Sequence, residues 1–260
     1  MNRQSQHLKL APTAAMVMQM GGKIFQSHAI SAEYLKYIDL SSADDYINHL
    51  KNLNVWELVE EAVCNRKFTI KQAILDEINR SSALRQVVLL AAGKSPLGLE
   101  LAYECENKLD QIFEVDISEN GDKEEIYKSI DPKHSKKINI VQCDITDETI
   151  IQILADKGYK KNYPCLVVLE GISHYLEPSE LEETLNNFRN IDQTNIALVE
   201  YCPPIKSLHQ AVREQTKIIF ELMEKTFFPK GMYKYTQQDL KIIFQNLAGQ
   251  IHEYYSMDKM

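Results

Sequence analysis

Three acidic side chains stand where short apolar runs of this sequence end. Asp116 and Glu170 close two of these runs, and Asp144 directly follows a third. A carboxylate at the end of a buried strand can accept hydrogen bonds from ribose hydroxyls or from an amino group. Glu170 also implies a cationic ligand or an arginine nearby, because a glutamate that closes an apolar strand is costly when it is buried and unpaired. Taken singly, Asp116 can equally be a solvated acid, and Asp144 can simply cap the following turn.

A glycine turn precedes the three acids. Gly93 permits a tight turn and close approach of the backbone, and Ser95 followed by Pro96 is suited to open a helix. The free N–H groups of that helix would face the same crevice as the acids, although an ordinary strand-to-helix turn has the same pattern. The segment has neither the G-x-G-x-x-G pattern of dinucleotide-binding folds nor the complete Walker pattern, which disfavours a pyrophosphate ligand. The acids and the turn together fit a nucleoside with a positive centre, a description that S-adenosylmethionine meets better than NAD or ATP.

Five short apolar runs must position these side chains. The runs are rich in β-branched residues, as strands buried on both faces are, and helical segments separate them. This order predicts an α/β fold with a doubly wound, mostly parallel sheet. The runs comprise residues 86–91, 111–116, 138–143, 165–170 and 195–200.

The first 85 residues have a different pattern, which predicts helices at 11–25, 32–38, 43–50, 54–65 and 69–80. We expect one structural domain, in which residues 1–85 form a helical cap packed on the core. Residues 86–260 would form a Rossmann-like core with a helical insertion at 203–235. Either 233–235 or 251–255 supplies a further strand, or the sheet has one strand fewer. An exposed edge would invite pairing with another subunit, as in a homodimer.

The 260-residue chain carries a formal net charge of −8 and has a pI of about 5.5. An acidic surface repels phosphate backbones, so nucleic acid is not expected as a partner. No apolar run approaches the roughly 20 residues of a membrane helix, and the start of the sequence lacks the apolar core of a signal peptide. The five cysteines are widely spaced and form no C-x-x-C pair. We therefore expect a cytoplasmic protein without membrane association and without a metal site.

The sequence resembles the leucine carboxyl methyltransferase family, including its bacterial small-molecule branch of polyketide O-methyltransferases. Four segments carry the resemblance, and the last is the most specific: a glutamate ending an apolar strand, a Tyr-Leu pair and a helix opened by proline. They are residues 87–98, 113–116, 144–145 and 167–181. The resemblance extends over roughly residues 65–248. It implies a Rossmann-like fold and S-adenosylmethionine-dependent methylation of an oxygen, carboxylate or hydroxyl, on a small, natural-product-like acceptor.

The resemblance also implies roles for individual residues. Arg66, on the helix before the first strand of the core, would pair with the cofactor carboxylate, and Lys23 is a weaker candidate for a second basic contact. Ala91 replaces the first glycine of the family's turn, so its methyl group either loosens cofactor binding or is absorbed by a small backbone shift. The remaining cofactor contacts would be Gly93 at the methionine end, Asp116 at the ribose, Asp144 with Ile145 at the adenine, and Glu170 as a further acid on the cofactor side.

The acceptor should meet the loop that follows Glu170. A carboxylate acceptor needs no base, whereas a hydroxyl would benefit from one, and His174 is then the candidate because the ordinary pKa of histidine lies near neutrality. Tyr175 could instead position the acceptor. The N-terminal helices and the segment 205–228 should roof the site, where an apolar cavity would be lined by Met16, Met18, Met20, Met223, Phe227 and Phe228 if these residues are not simply core filler.

Three other functions remain open at the level of sequence. The altered turn at Ala91 and the short C-terminus favour a methyltransferase fold with little or no activity that acts as a binding scaffold. Methylation of nitrogen is equally compatible with such a cofactor site. An NAD-dependent reductase is a distant third, because the phosphate-binding glycines are missing.

Overall fold

The N-terminal region is helical, as expected, and carries two very short strands that pair with each other. In this computed structural model, residues 8–118, 120–190, 192, 194–228 and 230–255 are described. The elements are β1 (Leu8–Lys9), α1 (Pro12–Met20), α2 (Gly22–Ser27), α3 (Ala29–Leu35), β2 (Ile38–Asp39), α4 (Asp44–Asn52) and α5 (Trp56–Arg80). The strand pair β1–β2 is parallel. The two helices predicted at 54–65 and 69–80 are parts of one 25-residue helix, α5, which begins at Trp56.

The central sheet contains the five predicted strands, each within one residue of its expected bounds. They are β3 (Gln86–Leu90), β4 (Gln111–Asp116), β5 (Ile138–Gln142), β6 (Cys165–Leu169) and β7 (Ile196–Val199). The connecting and C-terminal helices are α6 (Leu97–Glu104), α7 (Gly121–Ile130), α8 (Ile150–Asp156), α9 (Pro178–Asn187), α10 (Arg213–Phe227) and α11 (Gln237–Asn246). The start of α11 is a capping box between Thr236 and Asp239, as its sequence predicts.

The strand order is β5-β4-β3-β6-β7, and every pairing is parallel. The chain runs outward from β3 in one direction and then returns to continue on the other side of β3. The order therefore reverses between β3 and β6, which is where doubly wound sheets bind their ligands. The expected α/β fold is confirmed, and the turns after β3 and β6 flank the reversal point.

Two apolar layers cover the sheet. Alternate residues of β3 point to opposite faces: Val87 and Leu89 join the layer made by α1–α7 and α10, and Val88 and Leu90 join the layer made by α8, α9 and α11. All five residues of β3 are buried, as is usual for the central strand of a sheet covered on both faces. Such a core fixes the register of the strand ends, and with it the positions of the acids.

The predicted strands near the C-terminus are absent from the described part of the chain. In the first segment the backbone N–H of Tyr233 donates to the carbonyl of His174, and that of Tyr235 to the carbonyl of Cys202, without a ladder. Residues 251–255 have no regular structure. The sheet thus ends at β7, which is only partly buried along its length, so the alternative with fewer strands holds within the described residues. No helix in those residues is both long and apolar enough to cross a membrane.

Candidate active site

The glycine turn and Asp116 are brought together, as predicted. Gly93 adopts a φ of +51°, and its N–H donates to Oδ2 of Asp116 at 2.8 Å. Ala91 also adopts a left-handed φ of +53°, a conformation that costs a residue with a Cβ about 1–2 kcal/mol. The backbone does not shift away to spare the methyl group of Ala91, so the turn keeps its shape under strain.

Asp116 has little acceptor capacity left in this arrangement. Its Oδ1 accepts both the N–H and the hydroxyl of Ser118, in addition to the bond from Gly93 to Oδ2. A carboxylate has about four acceptor positions, so roughly one stays open. Two ribose hydroxyls can bind Asp116 only if one bond from Ser118 is given up.

Asp144 and Ile145 follow β5, and the N–H of the preceding Cys143 donates to the carbonyl of Asp116 at 2.9 Å. Asp144 is exposed, and its Oδ1 accepts the N–H and the hydroxyl of Thr146 at 2.9 and 2.8 Å. This is the turn-capping geometry that the sequence left open as an alternative. Ile145 is buried in the apolar layer under α8, α9 and α11, which leaves its side chain in the core rather than on an open ring-binding surface.

Arg66 and Glu170 lie together, so that Glu170 has the nearby arginine that its sequence position implied as one of two alternatives. Nε of Arg66 lies 3.3 Å from Oε1 of Glu170, and Nζ of the neighbouring Lys67 lies 2.6 Å from the same oxygen. All three side chains are at most 15% exposed. Burial alone would raise the pKa of Glu170, but the charges of Lys67 and Arg66 outweigh burial and hold that pKa below its ordinary value.

Glu200 completes this cluster and was not identified from the sequence. Its Oε2 accepts the N–H of Gly171 at 2.9 Å. Burial lowers the pKa of Arg66, and the charges of Glu200 and Glu170 more than compensate, so that the pKa is raised overall. Arg66, Lys67, Glu170 and Glu200 form a charge-balanced set of two cations and two acids, which we call the ionic cluster. Glu200 ends its apolar run just as Glu170 does, and that shared position is the signal that could have identified it.

Lys23, the weaker candidate for a second basic contact, has another partner. Its Nζ lies 2.6 Å from Glu60, and its side chain is 74% exposed. The prediction for Lys23 is therefore wrong in this structure, and Lys67 is the second cation beside Glu170. The reason is geometric: Lys67 is adjacent to Arg66 on α5, whereas Lys23 lies on α2 and meets α5 almost two turns earlier.

His174 and Tyr175 lie in a cluster of aromatic rings after β6. His174 is 5% exposed, and its ring centroid is 4.8 Å from that of Tyr175 and 5.2 Å from that of Phe228. Burial and the nearby charge of Arg66 lower the pKa of His174 to about 4. The premise that His174 titrates near neutrality is therefore wrong. Tyr175 is 45% exposed, and its ring packs at a tilt against that of Phe228, with the centroids 4.5 Å apart.

An apolar cavity of about 20 Å³ lies between α1, α4, α5 and α10, which is room for about one water molecule. It is lined by Met16, Met20, Tyr46, Leu50, Val59, Ile219, Leu222, Met223 and Phe227. Four of the six residues expected at such a cavity thus line it. Met18 and Phe228 are buried elsewhere.

The donor set of this site fits S-adenosylmethionine. Its methionine end carries a carboxylate, which suits Arg66, together with an ammonium and a sulfonium, which suit Glu170 and Glu200. Nε of Arg66 and Nδ1 of His174 are buried and have no aligned hydrogen-bond partner among the described residues, so the site contains polar atoms that a ligand can satisfy. The guanidinium of Arg66 also lies directly beside Gly171, 3.7 Å from where a Cβ would stand.

Comparisons with known proteins agree with this geometry. The profile of the leucine carboxyl methyltransferase family matches residues 23–189, well over half of the chain. A crystal structure from Thermobifida fusca, of a protein assigned as a methyltransferase, superposes with a TM-score of 0.63 at 14% identity, over 99% of this chain and 91% of that chain. PigF with SAH gives a TM-score of 0.46 at 14% identity, over 75% and 54%, which is too low to support an argument. A comparison with curated protein sequences gives no match.

The likeness to the Thermobifida fusca protein bears on the fold alone and confirms the expected architecture. The family profile confirms the resemblance from which the site residues were predicted, and with it the methyl donor. The chain therefore belongs to the leucine carboxyl methyltransferase family and is an S-adenosylmethionine-dependent methyltransferase.

Proposed function

We propose that the protein transfers a methyl group to an oxygen of a small acceptor, and that this oxygen belongs to a carboxylate. The observation that carries the proposal is the environment of His174, which is buried and has a pKa of about 4. A hydroxyl acceptor needs a base to remove its proton. A carboxylate is already ionised at neutral pH and needs none.

The ionic cluster supports a mechanism in which charged side chains hold the methyl donor in a fixed orientation. S-adenosylmethionine, when bound, supplies the electrophilic methyl group. Arg66 would hold the donor's carboxylate, and Glu170 and Glu200 would hold its cationic end. Arg66 and Glu170 are at most 15% exposed and lie 3.3 Å apart, and Glu200 accepts the N–H of Gly171. These side chains are therefore oriented before binding and lose little freedom on binding. Alignment of the reacting atoms and exclusion of water are then the main contributions of the protein to the rate.

The apolar cavity supports an acceptor that has an apolar part as well as its carboxylate. Val59, which lines the cavity, precedes Arg66 by seven residues on α5, so both lie on one face of the helix about 10 Å apart. The cavity must enlarge to admit more than one or two methyl groups. Met16, Met20 and Met223 are suited to this, because methionine side chains repack readily.

The test is incubation with isotopically labelled S-adenosylmethionine and matched pairs of acceptors. The acceptors within each comparison share one apolar skeleton and differ only in the group at one position, which is a carboxylate, a phenol or an amine. The expected product is a methyl ester, recognised because mild base releases its label as methanol. Label that stays on a phenol ether or an amine, with none in an ester, would contradict the proposal.

One observation favours the alternative of an inactive scaffold, namely the strained φ of Ala91 at the cofactor turn. Calorimetric titration with S-adenosylmethionine and S-adenosylhomocysteine distinguishes the two functions. An enzyme must bind the methyl donor. If the protein binds neither compound, only the function as a scaffold remains.

A further inference from the structure

Helix α7 holds the cofactor turn through two buried side chains. Nζ of Lys123 donates to the carbonyl oxygen of Gly93 at 2.9 Å, and the hydroxyl of Tyr127 lies 2.9 Å from the carbonyl oxygen of Ser95. Lys123 is 0% exposed and Tyr127 is 1% exposed. Since the N–H of Gly93 donates to Asp116, both polar groups of Gly93 are bound by side chains.

Glu114, on β4, is the counter-charge of this arrangement. Its Oε2 lies 2.7 Å from Nζ of Lys123, and its Oε1 lies 3.1 Å from the hydroxyl of Tyr127. Glu114 is 2% exposed. Burial lowers the pKa of Lys123 despite this partner. A fully buried lysine is costly to place, so its contact with the carbonyl of a ligand-binding turn calls for an explanation beyond packing.

The explanation lies in Ala91, two residues before Gly93. An alanine at a φ of +53° prefers other conformations, and the turn left to itself would populate them. Lys123 and Tyr127 bind the carbonyls of the turn on the far side of Ala91. A third contact also joins the turn to α7: Nζ of Lys94 lies 2.7 Å from Asp122, the second residue of that helix.

We propose that Lys123 and Tyr127 are positioning residues, which hold residues 91–95 in the conformation that binds the methyl donor against the tendency of Ala91 to leave it. The inference rests on the proposed function, because it assigns the turn to cofactor binding. Neither residue has to touch the cofactor. Each acts through the backbone of the turn.

The proposal is tested by a double-mutant cycle. Substituting Lys123→Met together with Glu114→Gln removes both buried charges at once and leaves neither unpaired. Tyr127→Phe, a milder change, removes only the hydroxyl. Each is made with and without Ala91→Gly, which allows the left-handed φ without strain. The readouts are the dissociation constant for S-adenosylhomocysteine by calorimetry and amide hydrogen exchange of residues 91–97 without ligand.

If the turn without these contacts adopts its binding conformation about a tenth of the time, the apparent affinity for S-adenosylhomocysteine falls about tenfold. We expect that loss in the charge-neutral pair, a smaller loss in Tyr127→Phe, and faster exchange in the turn in both. Ala91→Gly should recover most of the lost affinity, since it restores the conformation by another route. A purely structural role of α7 would show no such recovery.

Lys137→Met is the matched control. Nζ of Lys137 also donates to a backbone carbonyl, that of Leu109 at 2.9 Å, but at the opposite end of the sheet. The affinity of the Lys137→Met variant for S-adenosylhomocysteine should equal that of the wild type. Unchanged affinity and exchange in both α7 variants, or equal losses with Ala91 and with Gly at that position, would overturn the proposal. Should the wild type not bind S-adenosylhomocysteine, the proposed function fails, and turn exchange still decides whether Lys123 and Tyr127 hold the turn.

Discussion

The buried imidazole of His174 should make the stability of this protein fall as the pH is lowered from 6.5 to 4. The pKa of His174 is lowered from 6.5 to about 4 by burial and by Arg66. Between these values the unfolded chain binds a proton at this position and the native protein does not. Stability is therefore fully present above pH 6.5 and is lost as the pH falls. At 1.36 kcal/mol per pKa unit, the difference between these two pKa values gives a loss of about 3 kcal/mol.

The measurement is urea unfolding of the wild type and of His174→Asn at several pH values across this window. Other groups titrate in both proteins, so the quantity of interest is the difference between their two curves. That difference should change by about 3 kcal/mol from pH 7 to pH 4. His252→Asn, at an exposed histidine, serves as the control for the loss of any imidazole.

Activity offers an independent check on the same residue. A base with a pKa of about 4 is deprotonated throughout the neutral range, so kcat/KM should show no inflection from His174 between pH 6 and pH 8. A rising limb near pH 6.5 that disappears in His174→Asn would refute this reasoning. Parallel stability curves for the two proteins would refute it as well.

Three further predictions concern the turn, the ionic cluster and the packing of α6 against Glu114. Asp116→Asn should weaken binding of S-adenosylhomocysteine by about 1–3 kcal/mol, measured by calorimetry, because an amide oxygen is a poorer acceptor for the turn N–H and for a ribose hydroxyl. Arg66→Met should lower the free energy of unfolding in urea by about 3 kcal/mol, because the largely buried Glu170 then keeps only Lys67 as a partner and Glu200 loses the nearby charge of Arg66. Gly98→Ala should lower stability by at least about 1–3 kcal/mol in thermal unfolding, because its Cβ would stand 2.2 Å from Oε1 of Glu114.

Each of these has its own control. Ser118→Ala removes one donor to Asp116 and should not weaken ligand binding, so an equal loss would show that Asp116 acts only by holding its own loop. Lys36→Met removes an exposed ion pair with Glu33 and should change stability little. If Lys36→Met lowered stability as much as Arg66→Met, burial of the ionic cluster would not explain the loss. Gly121→Ala adds a Cβ with no atom within 4 Å and should be neutral, so a loss as large as that of Gly98→Ala would contradict the steric argument.

The strands were predictable because each is a short apolar run with polar residues at both ends, and so the acids at their carboxyl ends could be placed. Pairing between elements was harder to predict. Lys67 and Lys23 look alike as isolated lysines, and only the fold, which places Lys67 beside Glu170 and Lys23 beside Glu60, distinguishes them. The continuity of α5 through residues 66–68 was also missed. Burial of one helix face holds the two predicted segments in one continuous helix.

Chemical properties that depend on burial were not available from the sequence at all. The pKa of His174 follows from burial and from the guanidinium of Arg66, which is distant in the sequence, as is the ring of Phe228 that packs against His174. Likewise, nothing in the residue type of Lys123 indicates that it lies fully buried against the carbonyl of Gly93. From the sequence, the methyl group of Ala91 could be expected either to strain the turn or to displace its backbone. In the structure the backbone keeps a left-handed φ at Ala91 and is strained.

The continuity of α5 has a consequence for how this protein can vary. Each residue added to a helix turns everything beyond it by about 100° and displaces it by about 1.5 Å. An insertion or deletion between Val59 and Arg66 would therefore swing the ionic cluster away from β6 while leaving the cavity in place. Exposed side chains along this stretch, unlike the buried Val63, can change in size. The offset of seven positions from Val59 to Arg66 cannot change, so natural or engineered variants have to keep it.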